Sequence, residues 1–78
     1  MHELAISRNI VAIVAEAANG RRVRRVTLEI GKLSGAMPHA IAFSFDLVAQ
    51  GTPVAGAELD IRELPGDELN VKSVDLED

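Results

Sequence analysis

Cysteine is absent from the 78 residues, which excludes disulfides, thiolate metal sites and a thiol nucleophile. Tryptophan and tyrosine are absent too, leaving Phe43 and Phe45 as the only aromatic side chains. Both phenylalanines are expected in the core, so no stacking rings accompany the arginines and nucleic-acid binding is not expected. No apolar run reaches membrane length, and Glu3, Arg8 and Glu16 interrupt the amino-terminal segment. Neither a signal peptide nor a membrane span is therefore expected, and a cytoplasmic protein is the default. Histidine occurs only at His2 and His39. Both lie at expected element ends, so no Ser/His/Asp set assembles and no catalytic residues are assigned. The chain is not expected to be an enzyme.

What is present makes one domain spanning residues 1–78, near the lower size at which a hydrophobic core supports folding unaided. The net charge is −4 but unevenly spread. Arg8, Arg21, Arg22, Arg24 and Arg25 precede Val26, whereas nine of the twelve acidic residues follow Lys32. Such asymmetry suits recognition of an oppositely charged partner.

From Leu4 to Ala18, Ile6, Ile10, Ile13, Val14 and Ala17 recur at helical spacing, with Leu4, Val11 and Ala18 widening the stripe. The spacing predicts an amphipathic helix beginning at about Glu3 and stopped by Asn19-Gly20. Arg21-Arg22-Val23-Arg24-Arg25 reads as a solvated, partner-facing turn. In the strand that follows, Val26, Leu28 and Ile30 alternate with polar residues. The small-residue stretch from Gly31 to Met37 lacks the order of a phosphate-cradling loop and reads as a connector. Pro38 suits the first turn of a second helix, with Ile41, Phe45 and Val48 on one stripe, Phe43 and Leu47 beside it, and His39 an ordinary surface residue. Gly51-Thr52-Pro53 ends that helix.

Two strands, Ala57 to Leu64 and Glu68 to Leu76, complete the chain, joined by the tight-turn sequence Pro65-Gly66-Asp67. Leu69 and Val71 share one parity and Val74 and Leu76 the other, which predicts a bulge near Lys72-Ser73. The expected fold is α+β, in the order α-β-α-β-β: a small three-stranded mixed sheet with two helices packed on one face. Its open edges would be covered by termini or another subunit.

The chemistry concentrates at Met1-His2-Glu3. The α-amine, the His2 amide nitrogen and the His2 imidazole can close adjoining chelate rings around one ion. His2 in second position is expected to keep Met1 in place. Nickel(II) and copper(II) favour tetragonal nitrogen sites of this kind. The positive end of the helix dipole repels a cation, and ionised amides together with Glu3 offset that repulsion.

Met1-His2-Glu3-Leu4, the run from Val26 to Gly35, Phe43-Ser44-Phe45 with Gly51-Thr52-Pro53, and Leu69-Asn70-Val71-Lys72-Ser73 together resemble the HypA/HybF family. The match runs in order along nearly the whole chain. The resemblance implies a nickel metallochaperone domain for maturation of nickel–iron hydrogenases, in some organisms of urease, with nickel(II) held by Met1, His2 and Glu3. It also implies a HypB-type GTPase and the hydrogenase large subunit as partners. Arg21, Arg22, Arg24 and Arg25 are the candidate partner-binding surface, a reading of the residues rather than a family motif. One departure is large: the family carries a zinc-binding insert with two Cys-x-x-Cys pairs between its last two strands. At about residues 65–67 this chain has Pro65-Gly66-Asp67 instead, so no zinc is expected. If that turn is strained, the last strand would pair with a neighbour's sheet and give a swapped homo-oligomer. The rival reading is a metal-independent adaptor that keeps the fold and does not deliver nickel.

Overall fold

The computed structural model describes residues 2–78. Helix α1 (Glu3–Ala18) leads into strand β1 (Val23–Gly31), helix α2 (Pro38–Ala49), and strands β2 (Glu58–Leu64) and β3 (Leu69–Leu76). The α+β order is the expected one. The sheet order is β2-β1-β3, with β1 parallel to β2 and antiparallel to β3.

Register explains how the core is assembled. Val26 and Leu28 of β1 lie level with Leu59 and Ile61 of β2. On the other side Val26, Leu28 and Ile30 face Val74, Val71 and Leu69 of β3. The pairing steps from Thr27↔Ser73 to Leu28↔Val71, leaving Lys72 unmatched. This is the bulge the parity change demands, and it keeps Val71 and Val74 on one face. Both helices close that face: Val26, Leu28 and Ile30 share a single cluster with Ile10, Val14, Ile41 and Phe45.

Within the helices the buried stripes are rotated from expectation. In α1 the buried residues are Ser7, Ile10, Val11, Val14 and Ala18, whereas Leu4 and Ile13 are exposed. Ser7 belongs to the core because its hydroxyl donates to the Ile41 carbonyl at 3.3 Å, and its small side chain lets α2 come close. Ser7→Ala is expected to cost about 1 kcal/mol, by removing this buried hydrogen bond between the helices. Urea denaturation measures it. In α2, Phe45 is fully buried, but Phe43 is 74% exposed, against the core position expected for it. Two residues are 200° apart on a helix, so a stripe centred on Ile41, Phe45 and Ala49 turns Phe43 and Leu47 outward.

Strand β1 begins earlier than its apolar alternation suggests. Val23 is buried and faces Leu76, and this pulls Arg24 and Arg25 into the strand. The arginine segment is therefore not a turn; only Arg21 and Arg22 lie in the connection.

Pro65-Gly66-Asp67 does not join neighbouring strands, since β2 and β3 flank β1. The connection crosses over the carboxyl end of β1 and is clasped there by backbone hydrogen bonds. Gly31 N–H donates to the Glu68 carbonyl (2.6 Å), Lys32 N–H to Leu64 (2.8 Å) and Leu33 N–H to Gly66 (2.8 Å). Among the described residues positive φ occurs only at Asn19, Gly20, Gly35, Gly51 and Gly56, none of them in this crossing. β3 pairs with β1 along its length, antiparallel.

Candidate metal centre

His2 is the N-cap of α1, with φ −93° and ψ 82°. Its carbonyl accepts the Ile6 N–H at 3.0 Å, the first bond of the helix ladder. Its imidazole makes no capping bond and is exposed. The amides of the first helical turn have no carbonyl four residues back to bond, so the Glu3 N–H is left out of the ladder, and the His2 N–H precedes it altogether. A metal that displaces amide protons therefore breaks no helical hydrogen bond here. The chain supplies an imidazole and unengaged backbone nitrogens within two successive residues.

An open groove of about 370 Å³ lies against this end of the helix, lined by His2, Leu4, Ala5, Arg8 and Asn9. Glu3 is half-buried at the start of α1. Met1 lies outside the described residues, so its amine is not placed. Among the described residues no three His, Cys, Asp or Glu side chains come together to hold a metal. His39, the second residue of α2, is exposed and does not line the groove.

The four arginines expected to face a partner are used differently. Arg21 donates to the Glu77 carbonyl at 2.9 Å. Arg22 donates to the Ala55 carbonyl at 3.0 Å and pairs with the Glu77 carboxylate at 3.4 Å. Arg25 sits between Glu58 (3.3 Å) and Asp75 (3.7 Å), the residues level with it on the two flanking strands. Arg24 is exposed and makes no ion pair among the described residues. Arg8 was not singled out as a site residue by its position in the sequence, yet it shares the groove with His2. The stripe formed by His2, Ala5 and Asn9, with Leu4 and Arg8 beside it, was the available signal.

A family model described as "Hydrogenase/urease nickel incorporation, metallochaperone, hypA" matches residues 1–75. The chain belongs to the HypA family. Relatives named hydrogenase maturation factor HypA include those of Trichormus variabilis (64% identical) and Trichodesmium erythraeum (62%), each over 66 residues, 85% of this chain and 58% of the relative. The HypA of Geobacter sulfurreducens is 47% identical over 66 residues, covering 60% of that protein. The chain thus spans somewhat over half the length of the curated HypA relatives it matches. The solution structure of the Ni metallochaperone HypA from Helicobacter pylori superposes with a TM-score of 0.85, covering 97% of each chain at 18% identity. That likeness shows the HypA fold. No helix among the described residues is long and apolar enough to cross a membrane.

Proposed function

We propose that this chain is a cytoplasmic nickel(II) carrier for maturation of a nickel–iron hydrogenase, or of a urease, and acts without catalysing a reaction. The ion is its cargo. The Met1 amine, the His2 and Glu3 amide nitrogens and the His2 imidazole form a nitrogen-rich, square-planar set, and the Glu3 carboxylate steers the cation. The observation that carries this reading is the free, exposed imidazole of His2 beside backbone N–H groups the helix does not use. Membership of the HypA family supports nickel as the ion. Copper(II) binds such nitrogens at least as strongly, so selection rests on metal availability and on partners.

In this proposal Pro65-Gly66-Asp67 stands where the zinc-binding insert of the family would be, and the chain binds no zinc. The absence of cysteine supports it. A HypB-type GTPase and the hydrogenase large subunit are the proposed partners.

Nickel titration by calorimetry and visible absorption, on chain with a free amino terminus and on an amino-terminally extended form, tests the proposal. One equivalent with the absorption of square-planar nickel is expected from the free form alone. Binding by neither form would favour the metal-independent adaptor, and equal binding by both would rule out the terminal chelate.

A further inference from the structure

The groove beside His2 carries a positive charge that no described residue neutralises. Arg21, Arg22, Arg25 and Arg62 are all engaged within the protein: Arg21 on a carbonyl, Arg22 on a carbonyl and a carboxylate, Arg25 and Arg62 on carboxylates. Arg8 is exposed and, among the described residues, has neither kind of partner. Side chains on a helix lean toward its amino terminus. The Arg8 guanidinium therefore reaches back over the turn that carries Leu4 and Ala5, toward His2. Asn9 adds an exposed amide to the same wall.

We propose that the groove lined by His2, Leu4, Ala5, Arg8 and Asn9 docks an acidic segment of a partner protein, one of whose carboxylates pairs with Arg8 beside His2. Charge complementarity selects this occupant. The fork of a guanidinium matches a carboxylate in two-point contact, and among the described residues Arg8 is the only charged side chain lining the groove. Leu4 and Ala5 give the aliphatic part of such a segment an apolar floor. The inference rests on the reading of His2 as a cargo ligand for its purpose. An unneutralised guanidinium disfavours a dication nearby, so a carboxylate that neutralises Arg8 also makes the cargo site more hospitable. Docking and cargo affinity are then coupled, each strengthening the other.

Hexaglutamate titrated into metal-free chain, followed by ¹H–¹⁵N amide shifts in low salt, tests the docking without nickel. Shifts are expected to centre on Leu4, Ala5, Arg8 and Asn9 and to fade as salt screens the pair. Arg8→Gln should weaken the peptide about three- to fivefold, the size of one exposed ion pair. Arg8→Glu should weaken it further, while Arg62→Gln, on strand β2 and outside the groove, should leave it unchanged. Equal loss on Arg62→Gln, unaltered binding by Arg8→Gln, or the same shifts produced by hexalysine would overturn the proposal. Because the chain is metal-free throughout, a failure to bind nickel in the separate titration would count against the cargo reading alone.

Discussion

Replacing His2 by alanine is expected to lower nickel affinity by more than about 100-fold, some 2.7 kcal/mol, while leaving the fold intact. The two halves of that expectation come from different features. Affinity falls because the imidazole closes one of the adjoining rings, and the adjacent backbone nitrogens cannot make up a planar set without it. The fold is indifferent because the His2 side chain is exposed and makes no capping hydrogen bond. Only its backbone carbonyl takes part in the helix, through the Ile6 N–H, and alanine keeps that carbonyl. Unfolding free energy should therefore stay within about 0.5 kcal/mol of the native value. Calorimetry and urea denaturation on the same preparation separate the two. Retention of one tightly bound equivalent with an unchanged visible spectrum would rule His2 out as a ligand.

Gly31→Ala is expected to destabilise the chain by about 3 kcal/mol through a single added methyl group. A Cβ at Gly31 would sit against the Gly66 carbonyl and 2.6 Å from the Glu68 amide nitrogen. These are backbone atoms of the crossing between β2 and β3, so no side-chain rotation relieves the overlap. Retreat of the crossing would also break the hydrogen bond from Gly31 N–H to the Glu68 carbonyl. A chain of this size has only about 4–12 kcal/mol of total stability, so a large part of it would be lost. Gly20→Ala makes the comparison: an added Cβ meets nothing within 4 Å there, and its φ of +87° leaves a conformational cost of about 1 kcal/mol. A urea midpoint for Gly31→Ala equal to that of the native chain would mean that the crossing does not lie on β1.

Much of the architecture was legible along the chain. Apolar alternation at Val26, Leu28 and Ile30, helical spacing from Ile6 onward and the parity change across Lys72 each report a local periodicity, and each corresponds to an observed element or bulge. Azimuth was less legible. Phe43 and Leu47 are hydrophobic enough for a core, yet the helix can bury only one side, and Ile41, Phe45 and Ala49 occupy it. Ser7 shows the converse, a polar residue admitted to the core by a partner 34 residues away. The bounds of β1 were missed for a similar reason, since Val23 counts as strand only once Leu76 lies opposite.

The proposed cargo site needed only the sequence. A terminal amine, the next amides and the imidazole of the second residue are neighbours through covalent bonds, so their proximity owes nothing to folding; the helix contributes only by leaving those amides unbonded. Charge availability was decided by tertiary structure. Arg21 meets Glu77 across 56 positions, and Arg22 meets Ala55 and Arg25 meets Glu58 across 33. Nothing in a run of four arginines says which are spent on the fold. Strand order brings those partners alongside, sends the last connection over Gly31, and leaves Arg8 in the His2 groove without an internal partner among the described residues. Each of these outcomes depends on which segments lie side by side in space, and a linear pattern of residues does not carry that information.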